Sequence, residues 1–185
     1  IISLIVWIEF FGLILKIFHK DNLKNKILRF SFKGTSLIYL FFLSFLIFSI
    51  FSNENDFKFF AIYSFLVAIA SDIGGMVFGK FFKGSKLTKI SPKKTISGTI
   101  GAFFFSILLI LIFNKNFENF LLMKVLFFTV AVSFISQIGD LFISFLKRKA
   151  KVKDTSNILP GHGGFLDRID GIIFALPFGI FLSKF

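Results

Sequence analysis

The stretch "TSLIYLFFLSFLIFSIFS", Thr35 to Ser52, decides the architecture. It is apolar on every face of a helix, whereas a helix of a soluble domain keeps one side for charged and polar residues. At 1.5 Å per residue it comes close to the roughly 30 Å of a bilayer's hydrocarbon core. A segment crossing that core must satisfy its own backbone groups, which a helix does internally, and the apolar/polar alternation of a membrane barrel is missing.

Five further apolar runs extend the pattern, at about residues 1–18, 57–79, 98–113, 120–145 and 171–185. The six together predict an all-α, polytopic membrane protein, with one membrane domain over residues 1–185. The chain is 55% hydrophobic with 33 Phe and has a mean hydropathy of +0.84, which excludes the soluble classes. It opens without Met inside an apolar run, so an N-terminal part of the natural protein is expected to precede it. With no cysteine, disulfides and thiolate metal sites are excluded.

The formal net charge of +12 would suggest nucleic acid in a soluble protein, but here the lysines fall between the apolar runs. Lys16 to Lys33, Lys80 to Lys94 and Lys147 to Asp170 are basic, "SNENDF" is acidic and "NKNFEN" is nearly neutral. The positive-inside rule then places the three basic loops in the cytoplasm, with the bilayer as partner and no role for nucleic acid. Arg occurs only at Arg29, Arg148 and Arg168 in a chain that otherwise uses Lys. Its planar fork suits bidentate recognition, and two of the three lie in one loop.

Several polar groups stand inside or beside the apolar runs. In "VAVSFISQIGDLFISFLKRK", Ser133, Ser136, Gln137, Asp140 and Ser144 fall along one helical stripe. An ionised Asp inside a span costs about 2.5 to 3.5 kcal/mol on insertion scales, so Asp140 marks a site unless the stripe merely joins helices. Asp72, in "AIASDIGGMVFGKFF", has a similar placement, and the two acids suggest a shared cation. Gly75 and Gly79 in the same segment read first as close helix packing. "KLTKISPKKTISGTIGAFF" puts a Ser-Pro turn, lysines, a Thr and glycines just before an apolar helix. That arrangement suits phosphate, or equally a lipid headgroup surface.

"LKRKAKVKDTSNILPGHGGFLDRID", Leu146 to Asp170, holds six basic and three acidic residues. Pro160, Gly161, Gly163 and Gly164 allow sharp turns, and Asp167 and Asp170 would share a helix face. Carboxylates with open positions suit Mg²⁺, whose shell substrate phosphates usually complete. Lys147, Arg148, Lys151, Lys153 and Arg168 would neutralise those phosphates, and His162 suits hydrogen bonding or phosphate contact better than metal. These loops point to magnesium-assisted chemistry on a phosphate-bearing substrate at headgroup level.

"SFLKRKAKVKDTSNILPGHGGFLDRID", Ser144 to Asp170, closely resembles the signature of phosphatidate cytidylyltransferases, the CDP-diacylglycerol synthases. "SPKKTISGTIGA" and "SDIGGMVFGK" resemble two upstream blocks of that family in the right order, so the similarity covers roughly residues 60 to 176. The resemblance implies transfer of a cytidylyl group from CTP to phosphatidic acid, with pyrophosphate released. It further implies Mg²⁺, one ion or two, on Asp140 and Asp167 with Asp170 close by, at the cytoplasmic face of a bacterial inner (plasma) membrane. Lys147, Arg148, Lys153, His162 and Arg168 would hold phosphates, beside Gly163 and Gly164. Ser91, Lys93, Lys94 and Thr95 would be nucleotide-side contacts, and Asp72 matches the acid of its block. A homodimer is kept as an expectation.

The chain departs from the family pattern at Ile73 and Met76, where Thr and Tyr are usual, and at Ser97 and Ile143, where Glu is usual. An ion transporter built on Asp72 and Asp140, an inactive homologue, and a cytidylyltransferase for another lipid phosphate are the rival expectations. The transporter leaves "PGHGGFLDRID" without a purpose.

Overall fold

The computed structural model describes residues 2–52, 55–88, 90–92, 94–117, 120–161 and 163–184, with no description of the side chains of residues 51, 52 and 55–57. Lys93 and His162 therefore lie outside the described residues. The chain is helical, in the order α1 (Ile2–Ile17), α2 (Leu23–Ser52), α3 (Asn55–Phe82), α4 (Ile96–Ile112), a 3-10 turn (Asn114–Phe117), α5 (Leu122–Lys149) and α6 (Leu166–Leu182). Among the described residues there are no strands, only isolated bridges at Lys86–Thr95 and Leu159–Gly163. The all-α membrane architecture holds. Three segments, Leu23–Ile50, Lys58–Phe82 and Leu122–Lys149, are helices long and apolar enough to cross a membrane, and Ile96–Ile112 is a shorter apolar helix. The remaining helices, α1 and α6, have 16 and 17 residues.

The second helix differs from its expected start at residue 35, because much of the first basic loop is helical. Asn22 accepts the N–H of Asn25 at 3.0 Å through Oδ1, an N-cap that starts α2 at Leu23. From there to Lys33 the sequence offers no proline to stop it. Hydropathy marks where a helix enters lipid, and the cap marks where it begins.

The structure divides into two compact units, one of Ile1–Ser52 with Phe142–Asp170 and the other of Asn53–Leu141 with Gly171–Phe185. In the first, α1 buries Val6, Glu9, Leu13 and Ile14 along one stripe. Its pairing with α2 is fixed by a Ser3–Ser44 hydrogen bond of 2.8 Å and by Lys33, whose ammonium lies 5.6 Å from the Trp7 ring centroid and 5.2 Å from that of Phe11.

In the second unit, Tyr63, Val67, Phe117, Phe128, Val132 and Ala175 belong to one buried cluster. The Thr129 hydroxyl donates to the Val125 carbonyl at 2.8 Å, so the Tyr63 hydroxyl donates to Thr129, also at 2.8 Å. Glycines set the approach of α3 to α4. A Cβ on Gly98 would stand 2.8 Å from the Gly75 carbonyl oxygen, and one on Gly101 would stand 2.7 Å from that of Gly74 and closer still to Phe78. On α3 the tight positions are Gly74, where a Cβ would run into the Gly101 carbonyl, and Gly79, where one would stand 3.2 Å from the Thr95 hydroxyl, whereas a Cβ on Gly75 would meet nothing nearer than 3.6 Å and Gly75 also lines a cleft. Gly101→Ala is expected to force the helices apart and to destabilise the unit by about 1–3 kcal/mol, measurable as a lowered midpoint of thermal unfolding in detergent.

Candidate functional site

In the second unit, the loop between α3 and α4 folds back on itself. The Leu87 N–H donates to the Lys94 carbonyl at 2.8 Å, and the Ile96 N–H donates to that of Ser85 at 3.0 Å. The Lys94 N–H returns to the Ser91 carbonyl at 3.0 Å, and Thr95 caps α4 by accepting the Gly98 N–H at 3.0 Å. Ser97, where the family pattern carries Glu, accepts the Gly84 N–H at 3.3 Å and lies 3.0 Å from the Thr95 hydroxyl. Thr95 and Ser97 thus hold the loop's shape, and Ser91 contributes its carbonyl to the turn.

This folding brings Lys94 to α5, where its ammonium forms an ion pair with Asp140. Both line a cleft of about 520 Å³ together with Asp72, Thr95 and Gln137, and with apolar walls that include Phe103 and Phe134. Asp72 is near enough to Asp140 and Lys94 to interact electrostatically with both. Met76, at a position where the family pattern has Tyr, lines the same cleft, and Ile73 is exposed on α3.

The polar stripe of α5 divides in purpose. Ser133 bonds Ser71 at 3.1 Å and joins helices, whereas Gln137 and Asp140 face the cleft. Gln137 Nε2 is buried and has no hydrogen-bond partner among the described residues, so it stands at the cleft wall as an unused donor.

In the first unit, α5 ends with Lys147, Arg148 and Lys149 in its last turn, where cations complement the helix dipole. The N–H of Val152 reaches the Lys147 carbonyl at 3.0 Å, with Lys151 in the left-handed region at φ 54°, a Schellman stop. Gly161 and Gly163 have φ of 74° and 82°, backbone that glycine adopts without strain.

Asp167 gathers the loop. Its Oδ1 accepts from the Lys147 ammonium at 2.7 Å. Its Oδ2 accepts from the Thr155 N–H at 2.8 Å, the Thr155 hydroxyl at 2.9 Å and the Gly164 N–H at 3.0 Å. One carboxylate thus draws four donors, three of them at Oδ2. Burial would raise the Asp167 carboxyl, but the Lys147 ammonium and the N–H groups of Thr155 and Gly164 outweigh it and hold it below the usual carboxylate range. Because the folded value lies below that of an unfolded Asp, about 3.9, this stabilisation is complete above that pH and is lost as pH falls through the lower folded value. Titrating the Asp167 carboxyl by ¹³C NMR is expected to give a midpoint below about 3.9, rising when Lys147 is replaced by Met.

The Gly164 N–H is thus engaged by the protein itself, while Arg148, Lys153 and Arg168 are exposed and Asp170 is 7% exposed. Ile143, where the family pattern has Glu, is 2% exposed. The two acids expected to hold metal are described in different units, Asp140 in the second and Asp167 in the first, each facing a lysine. Among the described residues, no three Asp, Glu, His or Cys gather as a metal cluster. At the cleft, however, two carboxylates already attract one internal cation, a donor set of the hard oxygen type that Mg²⁺ takes.

One participant escapes the sequence reading. Glu9 of α1 is 3% exposed and accepts hydrogen bonds from the signature loop. Its signal was present as the one acid in the first apolar run, subject to the same insertion cost that singles out Asp72 and Asp140.

Residues 1–185 match the sequence profile of the Cytidylyltransferase family. A phosphatidate cytidylyltransferase of Rickettsia felis is 40% identical over 140 residues, 71% of this chain and 62% of that protein. One of Staphylococcus haemolyticus is 36% identical over 154 residues, covering 80% of this chain and 59% of its own length. One of Rickettsia typhi is 45% identical over 126 residues, with coverages of 63% and 55%. The matched stretches span about three fifths of the length of these curated relatives. With the profile matched from end to end and the signature loop and cleft both formed, the chain belongs to the cytidylyltransferase family.

Proposed function

We propose that this protein transfers a cytidylyl group from CTP to phosphatidic acid, releasing pyrophosphate and forming CDP-diacylglycerol in phospholipid biosynthesis. The observation that carries this reading is the cleft of the second unit, in which a Lys94–Asp140 pair stands among apolar walls within membrane helices. A lipid phosphate has the same two parts, an anionic head and an apolar body.

A phosphate oxygen of phosphatidic acid attacks the α-phosphorus of CTP, and the bond from that phosphorus to the bridging oxygen of the β-phosphate breaks. No protein nucleophile is required, and a phosphate monoester is largely ionised near neutral pH. The chain's task is to offset repulsion between two polyanions and to position them. Lys94 donates to phosphate oxygens in the cleft, Gln137 Nε2 offers a further neutral donor, and Asp72 and Asp140 would hold Mg²⁺. When bound, that ion supplies Lewis-acid neutralisation of phosphate charge. In the other unit, the exposed Arg148, Lys153 and Arg168 are suited to phosphate through side chains, since the N–H groups of Gly164, Phe165 and Leu166 at the entry to α6 bond to carboxylates of the protein. The proposed location is a bacterial inner membrane with the basic loops in the cytoplasm, in keeping with their charge.

The test is formation of labelled CDP-lipid from labelled CTP and phosphatidic acid in detergent micelles, with and without Mg²⁺. Mg²⁺-dependent product supports the reading. Product with an ether-linked lipid phosphate only would reassign the substrate, and ion flux in proteoliposomes without CTP would replace the reading with transport.

A further inference from the structure

Glu9 lies on α1, far in sequence from every motif of the proposed reaction, and yet four donors of the signature loop converge on its carboxylate. Oε1 accepts the Ser156 hydroxyl at 2.5 Å and the Phe165 N–H at 3.0 Å. Oε2 accepts the Leu166 N–H at 2.7 Å and lies 3.2 Å from the Thr155 hydroxyl. Leu166 is the first residue of α6 and Phe165 directly precedes it, at the end where N–H groups have no partner within the helix. Such a terminus attracts anions, and here the anion is supplied by another helix of the same chain.

We propose that Glu9 is a positioning residue, which clamps the signature loop from α1 and thereby sets the Lys147–Asp167 pair. The link is Thr155. Its N–H bonds Asp167, and its one hydroxyl proton sits between the two carboxylates, nearer Asp167 at 2.9 Å than Glu9 at 3.2 Å. Gly164 lies under both. A Cβ there would overlap the Thr155 hydroxyl and stand 2.8 and 2.9 Å from the Glu9 oxygens. At 3% exposure Glu9 is out of reach of substrate, so it acts through the loop and not on the reacting atoms.

The inference rests on the proposed activity for its kinetic half only. Glu9→Gln is the sharpest variant because it preserves shape. An amide offers an acceptor on one side and a donor on the other, so one backbone N–H, of Phe165 or of Leu166, must face an NH₂ group. Ser156→Ala removes one donor of the four and serves as the mild variant should Glu9→Gln fail to fold. The readouts are hydrogen exchange of the purified protein and steady-state formation of CDP-lipid.

Glu9→Gln is expected to speed exchange at Phe165 and Leu166 at least about tenfold, as loss of a charge-assisted hydrogen bond implies. Peptides of α3 and α4 are expected to be unchanged, and kcat to fall about tenfold or more. Ser156→Ala is expected to show the same pattern to a smaller extent. Unchanged exchange in the loop would overturn the proposal, as would a loosened loop with kcat within twofold of the starting protein. Equal loosening of α3 and α4 would also overturn it, since Glu9 would then serve the fold generally. If the unaltered protein forms no CDP-lipid, the proposed activity fails, while exchange alone still decides whether Glu9 clamps the loop.

Discussion

Asp167→Asn is expected to destabilise the signature loop by about 3–5 kcal/mol, the cost of removing one partner from a buried ion pair. At 1.4 kcal/mol per factor of ten, that lowers the loop's ordering equilibrium constant by about a hundredfold to several thousandfold, and CDP-lipid formation is expected to fall by up to that factor as the disordered loop comes to predominate. The magnitude follows from burial, because the side chains of Lys147 and Asp167 are only 13% and 9% exposed. Water therefore does little to replace the lost counter-ion. Asn keeps the shape but must turn its NH₂ either toward the Lys147 ammonium or toward the three donors from Thr155 and Gly164. Both orientations oppose donor to donor. Thermal unfolding in detergent and initial rates with labelled CTP measure the two effects, which should fall together. A variant with wild-type stability and no activity would instead mean that Asp167 acts on substrate directly.

How much of this was legible beforehand depended on the kind of force involved. Burial in lipid acts on composition, so the helices could be read from apolar runs. Where a local cap decides a boundary, as Asn22 does for α2, hydropathy places the start of the helix too late. Close packing along α3 was legible from its small-residue pattern, although the tightest position is Gly74, next to the Gly75/Gly79 pair the pattern names. That Lys94 meets Asp140 was not legible, because it depends on how the loop from Ser85 to Ile96 folds back. Glu9 illustrates the same limit. Its cost in an apolar run was visible, but its partners lie about 150 residues away, and no spacing rule reaches that far.

Asp140→Asn should behave differently from Asp167→Asn, and burial again decides. The side chains of Lys94 and Asp140 are 24% and 26% exposed, so water shares in solvating them and the pair contributes at most about 1 kcal/mol to stability. For a chain of this size that is a shift of about 2–4 °C in the unfolding midpoint. Activity should nevertheless fall by about a hundredfold to a thousandfold, as when one preorganised charge is removed from a reaction centre. Lys94→Met separates the two roles of the pair. It removes a phosphate donor, which slows the reaction, and it frees Asp140 of its internal cation. Mn²⁺ binding followed by electron paramagnetic resonance should then strengthen, and binding should weaken in Asp140→Asn. If Asp140→Asn kept its rate within about threefold, the cleft would not be where the phosphates react. A tighter Mn²⁺ site in Lys94→Met with no change in rate would make Lys94 a placeholder for the metal and not a substrate contact.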